Sequence, residues 1–87
     1  MTERATFVCS HVFLNERPIL FVSHADGDLQ CLCGGVHPND EIPKVVGLNH
    51  LVARDRTILE VVNLPVNSRA HRDDLNTPWV VDLAHEN

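Results

Sequence analysis

The sequence predicts one small α+β domain, 1–87, built on a five-stranded antiparallel sheet with two helices packed on one face. Strand-like and helix-like segments follow one another in the order βββααββ. Strands and helices that are segregated in this way favour an antiparallel sheet, because parallel strands need crossover connections, usually helices, between them. The content of 44% hydrophobic and 22% charged residues is that of an ordinary folded domain.

The first third of the chain carries three strand patterns. Residues 5–14 are rich in β-branched and aromatic residues and predict the first strand. Residues 19–23 predict the second, and Asp26-Gly27 marks a tight hairpin that leads into a third strand over residues 29–33. Alternation gives this third strand one apolar face, which we expect to meet the core: Leu29, Cys31 and Cys33.

Two helices and a closing hairpin are predicted for the rest of the chain. Residues 34–42 are rich in glycine, proline and polar residues and are typical of an exposed loop. After Pro43, apolar residues recur at intervals of three and four and predict a helix that ends near Arg54. Asp55 is suited to cap a second helix. Residues 68–72 and 79–83 are then expected to close the sheet.

Charge and composition restrict the classes of partner and compartment. Twelve acidic side chains against seven basic ones give a net charge of −5, the wrong sign for nucleic acid or an anionic membrane surface. The charge is complementary to a basic protein partner. The chain contains no apolar run of about 18 residues and does not begin like a signal peptide, so we expect a cytoplasmic protein. Its three cysteines do not resemble a disulfide framework, which agrees with that compartment.

A metal site is the sharpest chemical hypothesis. On a strand, Cys9-x-His11 would project a thiol and an imidazole to the same side, and that pair of ligands suits zinc. Cys33 could join them if the third strand lies near the first, and His50 could reach them from the first helix. The predicted site is therefore a Cys2His2 set of Cys9, His11, Cys33 and His50, with His37 as a spare candidate.

The alternative is a core without any cofactor. Zinc knuckles usually have two or more residues between their cysteines, whereas Cys31 and Cys33 have one. Free cysteine is among the most buried residue types, so Cys9 and Cys33 are also explained as small core residues, with His11 as a hydrogen-bonded histidine. The sequence taken alone favours this interpretation.

The sequence does not predict an enzyme. A thiol nucleophile needs a base beside it, and only Cys9 with His11 or His50 suggests such an arrangement. Cysteines that are expected to be buried lack the exposed, electropositive surroundings that favour a thiolate. A glycine-rich phosphate loop that opens a helix and a serine nucleophile elbow are both absent from the sequence.

Several short motifs, taken in order, resemble a family of short bacterial proteins of unknown function, which is related to predicted immunity proteins of polymorphic toxin systems. The motifs span nearly the whole chain: Cys9-Ser10-His11-Val12, Asp26-Gly27-Asp28, Gln30, Leu32-Cys33-Gly34-Gly35, Val46-Gly47-Leu48-Asn49-His50-Leu51, Arg54-Asp55, Leu64-Pro65, Arg72-Asp73 and Pro78-Trp79. The chain departs from the family pattern at Leu29, where an aromatic residue is usual, and at Cys31, where phenylalanine is usual. The substitution at Cys31 looks like a change within the core.

The resemblance implies an α+β fold and brings with it no known activity and no catalytic residue. The leading hypothesis is therefore a non-enzymatic protein-interaction module of the toxin-neutralising, immunity-like kind. Its acidic surface and the 34–42 loop would meet a partner protein, and a homodimer is left open. The alternative is a small zinc-binding domain with a structural Cys2His2 site.

Overall fold

The protein folds into a mixed six-stranded sheet with short helices on one face. The computed structural model describes residues 4–25, 28–35 and 42–83. In chain order the elements are β1 (Ala5–Val8), α1 (Ser10–Phe13), β2 (Phe21–Ala25), β3 (Asp28–Leu32), β4 (Lys44–Gly47), α2 (Leu48–Arg54), a 3-10 helix (Arg56–Glu60), β5 (Ser68–His71) and β6 (Val80–Asp82). The strand order across the sheet is β4-β1-β3-β2-β5-β6.

The predicted α+β class is confirmed, but the predicted sheet is wrong in two respects. The sheet has six strands rather than five. It is also mixed rather than antiparallel, because β1 and β3 run parallel while every other neighbouring pair is antiparallel. The parallel pair arises because β2, which follows β1 in the chain, does not lie beside β1. The connection between them leaves one strand position, and β3 occupies it, antiparallel to β2 and parallel to β1.

The additional strand, β4, occupies residues that the sequence assigned to the first helix. Val45 and Val46 are β-branched and fit a strand, and β4 pairs with the outer edge of β1. The helix α2 begins only at Leu48, whose backbone N–H donates to the carbonyl of Arg4 at 2.8 Å. The apolar period of three and four residues is therefore helical only in its second half.

The first predicted strand is also shorter than expected. It ends at Val8, and the chain then makes a single helical turn in which the N–H of Phe13 donates to the carbonyl of Cys9 at 2.9 Å. Val8 and Val12 are both fully buried. A spacing of four residues places both on one face in a strand as well as in a helix, so their burial is the same in either structure and the hydrogen bond from Phe13 to Cys9 marks the turn.

The second predicted helix is a 3-10 helix. The prediction that Asp55 caps it is confirmed, since its carboxylate accepts a hydrogen bond from the N–H of Thr57 at 3.0 Å. Ile58 is fully buried in the core, whereas Leu59, the next residue, is half exposed. Within the ranges described above, no helix is long and apolar enough to cross a membrane.

The core lies between the helices and one face of the sheet. A row of four fully buried residues crosses the sheet from β1 to β5: Val8, Cys31, Val22 and Ala70. Val12, Leu51 and Ile58 cover it from the helices and the 3-10 helix. Burial of apolar side chains between the sheet and these helices is the main source of the stability of the fold.

Thr6→Val is expected to stabilise the protein by about 1 kcal/mol. Thr6 is fully buried in β1, and among the described residues its hydroxyl has no hydrogen-bond partner. A buried hydroxyl without a partner costs free energy that an apolar group of the same shape does not. The measurement is the midpoint of urea unfolding. The control is Thr57→Val, which removes a hydroxyl that bonds both Asp55 and Arg72 and should lower the midpoint.

Candidate metal centre

The parallel pair of β1 and β3 brings two cysteines to the same edge of the sheet. Cys9 directly follows β1, Cys33 directly follows β3, and Val8 pairs with Cys31 in the ladder between them. Parallel neighbours run in the same direction, so their carboxyl ends meet at one edge. An antiparallel pairing would have placed Cys9 and Cys33 at opposite ends of the two strands.

His11 joins the two cysteines from the single turn of α1. Cys9 is the residue at the N-cap of that turn, and His11 is its second residue. The ligand atoms of Cys9, His11 and Cys33 all lie within 4.8 Å of one another. The two thiols are buried, with exposed fractions of 3% and 4%, whereas the imidazole is partly exposed. The two sulfurs are therefore buried, and His11 is the member of the cluster that solvent partly reaches.

Cys33 has polar neighbours on two sides. Its Sγ lies 3.6 Å from Nδ1 of His11, and the backbone N–H of Gly35 donates to the same sulfur at 3.4 Å. A Cβ at Gly35 would lie 2.9 Å from Nη1 of Arg17 and 3.5 Å from the Cys33 Sγ. The missing side chain of Gly35 therefore leaves room for the guanidinium of Arg17.

The structure does not bring His50 into this group. His50 lies in the first turn of α2, its side chain is exposed, and it lines an open hollow together with Phe13 and Arg54. Leu51, the next residue, is 1% exposed and faces the core. The helical rotation of 100° per residue turns His50 away from the core that Leu51 enters. The spare candidate His37 lies outside the described residues.

Cys31 differs from the other two cysteines although it lies close to them in sequence. It is fully buried in the row of core residues and does not belong to the group of three. Burial raises the pKa of its thiol to about 12, although the positive charge of Arg4 acts to lower it. Cys31 is therefore a protonated core thiol, in agreement with the sequence interpretation of this residue.

The sequence reasoning missed a second polar cluster, centred on Arg72. Its guanidinium is buried and donates from Nε and Nη2 to the carbonyl of Ile19, at 3.2 and 2.9 Å. It also donates to the Thr57 hydroxyl at 2.8 Å, forms an ion pair with Asp55 and lies 4.2 Å from the ring centroid of Trp79. Each of its three nitrogens has a protein acceptor, so we assign this cluster to stability rather than to ligand binding.

The Arg72 cluster changes the titration of Asp55. Burial alone would raise the pKa of this carboxyl group. Hydrogen bonds from Thr57 and Arg72, together with the charge of Arg72, outweigh burial and hold the pKa of Asp55 below its ordinary value of 3.8. The only sequence signals for this cluster were the cap motif at Asp55 and the motif Arg72-Asp73, which lie far apart along the chain.

Comparisons with known proteins add no relative. A scan against protein-family models, a search of curated proteins and a search of solved structures each find no match. The resemblance to short bacterial proteins and to immunity proteins therefore stays a prediction that rests on motifs. The case for a metal centre rests on the geometry of Cys9, His11 and Cys33.

Proposed function

We propose that this protein is a small zinc-binding domain in which Cys9, His11 and Cys33 supply three ligands. The observation that supports this is the approach of two sulfurs and one imidazole nitrogen to within 4.8 Å of one another. Thiolate and imidazole are the ligands that zinc prefers in proteins. Three ligands from this group leave the fourth position of a tetrahedral ion to another donor or to water.

One of the three ligand separations already has the length that zinc requires. Bonds of about 2.3 Å to sulfur and about 2.0 Å to nitrogen imply, in a tetrahedral site, a sulfur-to-nitrogen separation of about 3.5 Å. The separation between the Cys33 Sγ and Nδ1 of His11 is 3.6 Å. A thiol hydrogen bond to the ring would produce a similar distance, so a measurement of bound metal has to distinguish the two.

A zinc ion at this place would cross-link three elements of the fold. It would tie the end of β1 to the end of β3 and fix the turn of α1 above them. The strands of this sheet are three to five residues long. Metal bound only by the folded state adds its binding energy to the free energy of unfolding. Zinc would thus support folding of the domain.

Metal analysis tests the proposal directly. Protein expressed in zinc-supplemented medium, with any histidine tag removed, is expected to contain about one zinc ion per chain and to melt at a lower temperature after treatment with a chelator. Cobalt substitution should produce the near-ultraviolet absorption of cobalt–thiolate bonds. A zinc content below about 0.1 equivalent, together with a melting temperature that chelators do not change, would contradict the proposal.

Two histidine variants identify the nitrogen ligand. His11→Ala is expected to weaken zinc binding by more than about 100-fold, since loss of an outer partner of a metal site alone costs 10 to 100-fold. His50→Ala is the matched control, because this histidine is exposed and lies outside the group of three. Competition with a chromophoric chelator measures both affinities. Equal weakening in the two variants would return His50 to the ligand set and contradict the assignment to three residues.

As a second candidate we propose a protein-interaction module that uses the edge strand β6. All three residues of β6 are exposed, and two of them are apolar, Val80 and Val81. Within the described part of the chain, β6 pairs only with β5, so its outer edge can accept a further strand. The exposed Asp73 and Asp74 lie in the loop between β5 and β6 and would suit a basic segment of a partner, whereas Asp82 lies opposite Arg69 in the ladder.

Variants on the two edges of the sheet test this candidate. The tagged protein is co-expressed with its neighbouring reading frames, and the affinity of any partner recovered is measured with purified components. Val81→Lys in β6 should abolish binding. Val45→Lys in β4, which is exposed on the opposite edge, should not. Loss of binding in both variants, or in neither, would place the partner elsewhere. Light scattering distinguishes a partner from a second copy of this chain.

A further inference from the structure

We propose that Cys9 and Cys33 are also a site of oxidative modification, at which a hydroperoxide joins the two sulfurs in a disulfide and expels the zinc ion. The release of zinc rests on the function proposed above. The formation of the disulfide does not, because it depends only on the placement of the two thiols. The site would make metal binding sensitive to peroxide.

The register of the β1–β3 ladder implies a separation of the two cysteines that a disulfide can bridge. In register with the β1–β3 ladder, Cys9 would lie beside Leu32, one residue before Cys33. A strand separation of about 4.8 Å and a rise of about 3.3 Å per residue would place the two Cα atoms ~6 Å apart if the ladder continued one residue beyond Val8. Disulfides span Cα separations of about 4.4 to 6.8 Å. The sulfurs already lie within 4.8 Å of each other, so side-chain rotation and a small shift suffice.

Cys31 should be spared by the same oxidant. It precedes Cys33 by two residues but faces Val8 and Val22 in the ladder, and it is fully buried. No second cysteine lies opposite it in either neighbouring strand. Oxidation should therefore yield one specific disulfide and leave one thiol.

A small oxidant can reach the pair from the side of His11. The two thiols are almost buried, but His11, whose ring contacts Cys33, is partly exposed, and Gly35, whose N–H donates to the Cys33 sulfur, is exposed. Hydrogen peroxide is close to water in size. Bulkier thiol reagents should react more slowly than peroxide at this site.

The chemistry requires one molecule of hydroperoxide for each disulfide. The Cys33 sulfur attacks one oxygen of the hydroperoxide and the O–O bond breaks, which leaves a sulfenic acid on Cys33. The departing oxygen leaves as water or an alcohol after it takes a proton, from the thiol in metal-free protein or from water when the sulfur is a zinc-bound thiolate. The Cys9 sulfur then attacks that sulfur, the S–S bond forms and the S–O bond breaks to release a second molecule of water. The two sulfurs lose two electrons to the peroxide. His11 alone remains of the three ligands, and a single imidazole does not retain zinc.

Titration with hydrogen peroxide, carried out on both zinc-loaded and metal-free protein, tests this inference. A chromophoric chelator reports released zinc, alkylation counts the remaining thiols, and non-reducing peptide mass spectrometry locates the disulfide. We expect one disulfide between Cys9 and Cys33 and one zinc ion released for each peroxide consumed, with Cys31 still open to alkylation after denaturation. Dithiothreitol with added zinc should restore the starting state.

Two variants and the metal-free arm separate the possible failures. Cys31→Ser should oxidise like the wild type, whereas Cys9→Ser should form no disulfide within the chain. If no zinc binds but the Cys9–Cys33 disulfide forms, the proposed function fails and the modification site stands. Two results would overturn the inference in protein that binds zinc. One is a disulfide that joins Cys31 to another cysteine, and the other is that all three thiols can still be alkylated after a tenfold excess of peroxide.

Discussion

Cys33→Ser is expected to abolish zinc binding and to lower the melting temperature by at least as much as a chelator lowers that of the wild type. Serine differs from cysteine by one atom but is a poor zinc ligand at neutral pH. The variant would forfeit a large part of the roughly 10–16 kcal/mol of apparent binding energy that structural zinc sites supply. It would also remove the sulfur that accepts from Gly35 and contacts His11. Circular dichroism melting with zinc present, and metal analysis of the same samples, measure the effect.

Cys31→Ser is the matched control, made by the same change two residues earlier on β3. Its hydroxyl would be buried in the core row, at a cost of roughly 1–3 kcal/mol unless it finds a partner. Zinc content should stay the same. If the two variants lose stability by equal, modest amounts and bind metal alike, the cysteines are core residues, as the sequence taken alone favoured.

The sequence led to the three clustered residues by an argument that was only partly correct. It expected Cys9 and His11 on one side of a strand, whereas they belong to the cap and the first turn of α1. It brought Cys33 near them by supposing that the first and third strands are neighbours. They are neighbours, but in parallel. A local pattern shows where strands occur, but not that β3 inserts between β1 and β2, because strand order depends on contacts between distant segments.

The position of His50 illustrates how an error in one element affects a site. Val45 and Val46 fit both the helical period and a strand. They form a strand because they pair with the edge of β1. Helix α2 then starts at Leu48, which places His50 in its exposed first turn. A helix that began near Pro43 was expected to hold His50 above the sheet.

Asp55→Asn is expected to lower the free energy of unfolding by about 3 kcal/mol at neutral pH. The change keeps the shape of the side chain and an oxygen for the cap at Thr57, but removes the charge that faces Arg72. The Arg72 guanidinium is 1% exposed, so water cannot replace the lost carboxylate. Removal of one partner of a buried pair costs about 3–5 kcal/mol, and the lower end applies because the Asp55 carboxylate is 16% exposed.

A double-mutant cycle with Arg72→Met separates the pair from the rest of the cluster. Asp55→Asn combined with Arg72→Met should be less destabilising than the sum of the two single changes, by about 1–3 kcal/mol, because neither charge is then left alone. Urea unfolding of the four proteins measures this coupling. Additive losses would mean that the ion pair contributes nothing beyond the hydrogen bonds of Arg72 to Ile19 and Thr57.

The same variant should also change how stability depends on pH, with a predictable sign. The pKa of Asp55 is lower in the folded state than its ordinary value of 3.8, so ionised Asp55 stabilises the fold above that value. This contribution is lost as the pH falls through the folded-state pKa, where the carboxyl group takes up a proton while Arg72 stays charged. The wild type and Asp55→Asn should therefore differ by a constant amount above about pH 5 and converge below about pH 4. Unfolding midpoints measured across this range test it, and curves that stay parallel down to acid pH would show that Asp55 does not stabilise the fold through its charge.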